Sequence, residues 1–428
     1  MIEITPQKIK KSQVTVPGSK SYTHRILIAA ALSDGTCTIQ NCLKSEDTLL
    51  TIGALKQMGI RMDEHNDKIV IHGTNGVLKP CDDPVYLGNS GTSMRLLTGV
   101  AALGQGTYLL TGTERMLERP IQDLLDGLNQ IGVSARSVKN NGCPPVEIKG
   151  QKIKAKHVSL KCNISSQYLS SLLLIAPYTE NGLEITVSQG PVSKPYVDMT
   201  VDIMERLGIK LTRDGYKSFQ IPGNQTYQSG SYTVEPDCSQ AGYFWAAAAI
   251  TGSEVKVKGI TGDSHQGDVR FTQVLESMGC RIFYENDGIT VSGGKLSAIE
   301  IDMSDMPDLV PTLAVVAAFA KGTTIIKNVA HLKAKESDRL SAVANELVKL
   351  GIEVRQTDTG LIINGRPPKA EAGGREAAKI EIETYNDHRI AMSFAVAGLV
   401  VPGILIRDEK CVEKSFPEFW NVFQGLYT

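Results

Sequence analysis

At 428 residues the chain has room for two domains and a sizeable core. Its formal net charge of −1 and its 42% hydrophobic content give no global basic field for nucleic acid, and no apolar run reaches the ~20 residues that span a bilayer. Eight scattered cysteines form no C-x-x-C pair and have no histidines clustered around them, which argues against structural zinc and against a disulfide framework.

In chain order, a short polar cluster runs six times into an alanine-rich, helix-like stretch. The clusters are Gly18-Ser19-Lys20, Asn89-Ser90-Gly91-Thr92, Ser165-Ser166-Gln167, Asp237-Cys238-Ser239-Gln240, Met306-Pro307-Asp308 and Asn386-Asp387-His388-Arg389. A helix N-terminus favours an anion through its N–H groups and its dipole. Six such heads can build one anion-binding surface.

A second motif sets the period. Glycines 59, 132, 208, 279 and 351 each follow a helix-like run and precede a short apolar stretch, at spacings of 73, 76, 71 and 72 residues. Each reads as a helix C-cap in the left-handed conformation, with Gly425 a weaker sixth copy. Strands are expected at 68–72, 108–111, 158–160, 184–187, 255–258, 324–326 and 404–406. Each unit therefore reads as strand–helix–strand–helix–strand–strand, with parallel strands joined through helices. The stretch 365–378 is the nearest to a flexible segment and reads as a surface loop.

The heads differ in chemistry. In the first, Pro17-Gly18 makes a turn and Ser19-Lys20-Ser21 opens a helix carrying Arg25. A lysine there opposes the helix dipole and is tolerable if an anion shares the site. The P-loop spacing is absent. In the second head, glycines around Asn89 and Ser90 permit close backbone approach to a ligand, and Arg119 precedes a helix expected to start at Pro120. The third offers hydroxyls and an amide, which suit a polyol, a phosphate or a plain cap. Ser193-Lys194-Pro195-Tyr196 is another polar loop before a helix.

Asp308 opens an apolar helix expected over 309–320, either as an N-terminal residue or as a proton acceptor. If one helix includes 331–339, His331, Lys335 and Arg339 share a face, with Glu336 and Asp338 able to neutralise it. Lys20, Arg25, Arg119, Lys335, Arg339, Arg389 and Lys414 concentrate at heads and loops of an otherwise balanced chain. That implies one or two small, highly anionic ligands, for which arginine offers bidentate contact.

As an ordered set these segments resemble the enolpyruvyl transferases, specifically the branch that acts on shikimate 3-phosphate. The resemblance runs from Pro17-Gly18-Ser19-Lys20 through Leu87-Gly-Asn-Ser-Gly-Thr, Arg115-Met-Leu-Glu-Arg-Pro, Ser193-Lys-Pro-Tyr, Lys335-Glu-Ser-Asp-Arg and Tyr385-Asn-Asp-His-Arg to Lys414-Ser-Phe-Pro. It implies an α/β fold of two domains, each of three βαβαββ units around a pseudo-threefold axis, with the active site in the interdomain cleft. The domains would be 20–235, and 1–19 with 236–428. It implies transfer of the enolpyruvyl group of phosphoenolpyruvate to the 5-hydroxyl of shikimate 3-phosphate, in the aromatic amino acid pathway.

By matching motif positions, Lys20, Ser21, Arg25, Ser165, Ser166, Ser193, Tyr196, Asp308, His331 and Lys335 would hold shikimate 3-phosphate. Lys20, Gly91, Arg119, Gln167, Arg339, Arg389 and Lys414 would hold phosphoenolpyruvate. Asp308 would be the base, and Glu336 or Lys20 the acid. His331 stands where many relatives carry an asparagine. Gly91 leaves room that implies sensitivity to glyphosate. No metal or organic cofactor, no nucleic acid and no membrane partner is implied, and a monomer is expected. The opening Met-Ile-Glu-Ile-Thr lacks a signal region, so a cytoplasmic location is expected. The branch that uses UDP-N-acetylglucosamine usually has a cysteine near 115–120, and none stands there. A non-catalytic nucleic-acid clamp is disfavoured by the balanced charge and by the scarcity of aromatics in the heads.

Overall fold

The computed structural model describes residues 1–9, 11–366 and 378–427. Residues 367–377 of the expected loop lie outside the described residues; Gly365 itself ends the strand Leu361–Gly365. The chain divides into two compact units, Gly18–Glu235 and Met1–Pro17 with Pro236–Thr428.

Within Gly18–Glu235 one pattern recurs three times. In its middle copy, Val85–Tyr86 leads into the helix Gly91–Leu103 and pairs parallel with Gly106–Thr111. The helix Gln122–Gln130 follows, and then Ser134–Ser137 and Val146–Gly150 form an antiparallel hairpin on the same sheet. The third copy repeats this with His157–Lys161, Leu183–Gln189, Thr212–Asp214 and Ser218–Ile221. In the first copy the opening strand is Ser231–Thr233, from the far end of the segment, parallel to Thr36–Gln40.

The other unit borrows in the same way. Ser12–Thr15 pairs parallel with Glu254–Lys258 and opens its first sheet. Its last sheet has three strands among the described residues, with Ile2–Ile4 antiparallel to Ile404–Ile406 where the other copies place a hairpin strand. This explains the weak last period. Glycines 59, 132, 208, 279 and 351 have φ between +75° and +112°, the left-handed cap expected of them. Gly425 has φ −62° and is no such cap, because no hairpin follows the helix Phe419–Gln424.

The two helices of a repeat differ in burial. Arg339–Lys349 is amphipathic, burying Leu340, Ala342, Val343 and Leu347 on one side. Cys238–Thr251, Val310–Ala318 and His388–Gly398 are buried nearly all round and pack on one another. Lys20–Leu32, Gly91–Leu103 and Gln167–Ile175 do the same in the other unit. Small residues allow this. A Cβ at Gly99 would lie 2.3 Å from Ser171 Oγ of the neighbouring helix. With their flanks packed, these helices carry their polar chemistry at the N-terminal heads.

Candidate active site

The first heads of the Gly18–Glu235 unit are capped in the ordinary way. Ser19 Oγ accepts from Tyr22 N and Ser90 Oγ from Ser93 N. Lys20 is the first helical residue, almost wholly buried, with Nζ 3.1 Å from Asp47 Oδ2. The anion that offsets its dipole penalty in this structure is thus a carboxylate from the next helix, Glu46–Gln57.

Gly91 opens the second helix between two guanidiniums. Arg119 Nη1 donates to Asn89 O at 2.9 Å and to Asn89 Oδ1 at 3.1 Å. Arg95, one turn along, donates through Nη1 to Gln167 Oε1 at 2.9 Å and through Nη2 to Pro120 O at 3.2 Å. Gln167 Nε2 passes the chain on to Thr92 Oγ1 at 2.9 Å. A Cβ on Gly91 would sit 2.4 Å from Arg119 Nη2 and 2.7 Å from Arg95 Nη1. Arg119 itself is extended after the single-turn 3-10 helix Met116–Glu118, and the next helix starts at Gln122 rather than at Pro120.

Arg25 is buried, and its hydrogen-bond acceptors are neutral: Thr200 Oγ1 at 2.7 Å, Ser21 O at 2.8 Å, Tyr196 O at 3.0 Å and Ser170 Oγ at 3.4 Å. Burial lowers its guanidinium below the ordinary arginine value, while Tyr196 and Tyr22 act the other way. Among the described residues Arg25 is held only by neutral oxygens, and a buried cation so held is short of an anion. Ser165 Oγ accepts from Gln167 N at 3.3 Å, and Ser166 and Ser193 are buried close by in sequence to the Gln167 and Pro195 helix starts. Ser193 has φ +55°, a strained backbone for a non-glycine residue.

In the second unit the heads converge on Arg339. Its Nε and Nη2 grip Asp387 at 2.8 and 3.2 Å, Nη1 reaches Asp308 Oδ1 at 2.8 Å, and Nη2 reaches Glu336 Oε2 at 2.8 Å. The other oxygen of Asp308 accepts from Arg389 Nη2 at 2.9 Å, so one carboxylate bridges two buried arginines. Arg389 Nη1 also donates to Tyr243 OH at 3.1 Å. Burial alone lowers Arg339, but Asp387, Glu336 and Asp308 outweigh it and hold the guanidinium well above the ordinary arginine value. Asp387 additionally caps His388–Gly398 through Arg389 N and accepts from Ser337 Oγ. Two successive left-handed residues, Tyr385 and Asn386, swing it into place.

No single helix includes 331–339, so the shared face that such a helix would give His331, Lys335 and Arg339 does not form. Ala330–Ala334 is a 3-10 turn, Lys335 is extended, and a new helix begins at Arg339 behind its cap Asp338. The reason is local: Asp338 Oδ1 takes the N–H groups of Leu340 and Ser341, which ends any helix from upstream. Asp308 likewise lies in a 3-10 turn, Pro307–Leu309, and the helix it precedes spans Val310–Ala318, shorter than expected. His331 is pushed down to about 4, first by burial and then by Lys335 and Arg339, with Asp308 opposing. It is a neutral imidazole at pH 7, and its enclosed Nε2 has no hydrogen-bond partner among the described residues. Lys414 is buried at the end of the 3-10 segment Glu409–Lys414.

Sequence reasoning assigned no role to Asp47, Arg95, Thr200 or Asp387. Asp387 had a local signal, as the Asp before a predicted helix, and Arg95 lies four residues after Gly91 on one helix face. Asp47 meets Lys20 only through packing of the two helices of one repeat, and Thr200 meets Arg25 only through contact between repeats. The Asp237–Gln240 head caps its own helix, with Asp237 accepting from Ser239 N and Gln240 N.

A family model described as EPSP synthase (3-phosphoshikimate 1-carboxyvinyltransferase) matches residues 4–423. The chain belongs to the EPSP synthase family. Among relatives named 3-phosphoshikimate 1-carboxyvinyltransferase, that of Syntrophobacter fumaroxidans is 43% identical over 97% of each chain. That of Pseudoalteromonas translucida is 41% identical over 99% of each. The EPSP synthase structure from Acinetobacter baumannii aligns with TM-score 0.81 and 30% identity, over 99% of this chain and 97% of that one. The enolpyruvyl transferase NikO from Streptomyces tendae shares the fold, with TM-score 0.77 and 21% identity over 99% and 96% of the chains. The fold is that of the enolpyruvyl transferases, and the protein is a transferase. No helix of the described residues is long and apolar enough to cross a membrane. The eight cysteines are free thiols.

Proposed function

We propose that this member of the EPSP synthase family transfers the enolpyruvyl group of phosphoenolpyruvate to the 5-hydroxyl of shikimate 3-phosphate and releases phosphate. The observation that carries the mechanism is the Asp308 carboxylate bridging Arg339 and Arg389. Anionic phosphoenolpyruvate competes for the same guanidinium donors. When it takes them, Asp308 is freed beside the donors that hold the reacting group.

Asp308 then accepts the proton of the 5-hydroxyl, and the oxygen bonds to C2 of phosphoenolpyruvate while its C3 methylene gains a proton from Glu336 or Lys20. The tetrahedral adduct next returns a proton from that methyl carbon to the group that gave it, the C2–O bond to phosphate breaks, the double bond re-forms, and the proton held by Asp308 leaves with phosphate. No electrons change hands, so the chemistry needs general acid–base groups and fixed positive charge. Arg119, Gln167, Gly91, Arg339, Arg389 and Lys414 serve phosphoenolpyruvate. Ser21, Arg25, Ser165, Ser166, Ser193, Tyr196, His331 and Lys335 serve shikimate 3-phosphate, Asp308 meets its 5-hydroxyl, and Lys20 contacts both substrates. The anion-starved Arg25 and the unpartnered Nε2 of His331 support the second set. The two domains, 20–235 and 1–19 with 236–428, act as a cytoplasmic monomer in this reading.

Phosphate release is expected only when both substrates are present. Release with phosphoenolpyruvate alone, or none with the pair, overturns the proposal. At Gly91 an added methyl would crowd both guanidiniums. Gly91→Ala is therefore expected to weaken glyphosate inhibition on the order of ten- to a hundredfold, the scale of one misplaced methyl in a tight pocket. Inhibition curves that superimpose on the parent's would remove Gly91 from that pocket.

A further inference from the structure

Within electrostatic reach of Asp308 and Arg389 lies a buried carboxyl that the reaction above does not use. Asp268 is buried in the 3-10 turn Gly267–Arg270, which packs on the helix Cys238–Thr251. Its Oδ2 accepts from the Ser239 hydroxyl. Its Oδ1 is enclosed and has no hydrogen-bond partner among the described residues. An enclosed carboxylate with an unmet oxygen is costly, whereas the neutral acid is far less so.

The groups that act on it come from each neighbouring element. Asp237 and Ser239 belong to the helix head, Asp308 to the Pro307–Leu309 turn, and Arg389 to the His388–Gly398 helix. Arg270, on its own turn, is directed to Asp305, and the following helix Phe271–Ser277 carries one ionisable residue, the exposed Glu276. Burial first, and then Asp308, push the Asp268 carboxyl up to about 7, against Ser239 and Arg389, with Asp237 adding to the rise. A carboxyl raised this far can change its proton near neutral pH when its surroundings change.

We propose that Asp268 is a proton-holding positioning residue for the phosphoenolpyruvate site, taking up a proton when the anionic substrate replaces Asp308 on Arg389. The inference rests on the reading of Arg389 as a substrate ligand. The ligand adds negative charge and draws off the arginine that favours the Asp268 carboxylate. The proton comes from solvent onto Oδ1 and returns when phosphate leaves, with no covalent change at the substrate. Arg389 then faces the substrate with no ionised carboxyl behind it.

Three proteins test this: the parent, Asp268→Asn and Ser239→Ala. In the parent, kcat/KM for phosphoenolpyruvate is expected to fall above pH about 7 by up to roughly tenfold per pH unit. Substrate phosphates titrate alike in all three proteins, so the difference between profiles is what counts. Asp268→Asn, permanently neutral, flattens the limb and matches the parent at pH values where Asp268 is already the acid. Ser239→Ala removes the hydrogen bond that favours the carboxylate and moves the limb to higher pH. Should Asp268→Asn fail to fold, infrared difference spectra of the parent on adding phosphoenolpyruvate still decide. A carboxylic-acid carbonyl band that rises supports proton uptake, and its absence overturns it. A parent that releases phosphate but shows neither that band nor a limb shifted by Ser239→Ala leaves the reaction standing and removes the inference. Arg389→Met with an unchanged KM for phosphoenolpyruvate removes the reading beneath it.

Discussion

Replacing Asp387 with alanine is expected to lower the melting temperature by roughly 10 °C and to abolish most activity. The carboxylate meets four donors in one place: two from Arg339, the Ser337 hydroxyl and the backbone N–H of Arg389. Removing one member of a buried charged pair costs about 3–5 kcal/mol, because the partner stays buried. Asp308 and Glu336 still touch Arg339, which holds the loss to the lower part of that range. The missing N-cap of His388–Gly398 adds about 1 kcal/mol. In a domain of this size each kcal/mol moves the melting temperature by about 2–4 °C. Asp387→Asn keeps the cap and one acceptor, so about half the shift is expected. An alanine variant melting within about 2 °C of the parent would show that the network is decoration.

That network also shows where sequence reasoning reaches and where it stops. The heads and the glycine caps are local codes. Ser19, Ser90, Asp237 and Asp387 cap the helices they precede, and Gly59 through Gly351 turn left-handed where a helix meets a strand. Such signals need no knowledge of distant neighbours, so they are legible in one chain. The Arg339 hub is different. Its carboxylates sit 31, 3 and 48 residues away, and only Glu336 is within reach of a local pattern. The same holds for Lys20 with Asp47, 27 residues on, and for Arg95 with Gln167, 72 residues on.

The segment 331–339, which charge spacing alone leaves open, is settled by its cap. Its charge spacing fits a helix, but Asp338 is a stronger signal as a cap than its neighbours are as a continuation. The break has a use. It places Lys335 in extended backbone ahead of the helix that starts at Arg339, so the two cations do not stack one turn apart on a single helical face. The sixth repeat was faint for another reason. Ile2–Ile4 supplies a strand that the local sequence there does not encode.

Asp308→Asn is expected to lower kcat on the order of a hundred- to ten-thousandfold, the range that a positioned general base contributes. The substitution keeps shape and one acceptor but removes the charge that Arg339 and Arg389 share. KM for phosphoenolpyruvate is expected to stay level or fall, since the substrate no longer displaces a carboxylate from the two guanidiniums. That split separates two roles which the geometry combines. A pure gatekeeper would change KM and leave kcat nearly intact, whereas a base would do the reverse. Arg339 still holds Asp387 and Glu336, but Arg389 loses its ion pair with Asp308. A fall in melting temperature is therefore expected, smaller than for Asp387→Ala because the amide oxygen still accepts from one arginine. A variant with parental kcat and an altered KM would transfer the proton-accepting role away from Asp308, and Glu336, 2.8 Å from the same guanidinium, would be the next group to test.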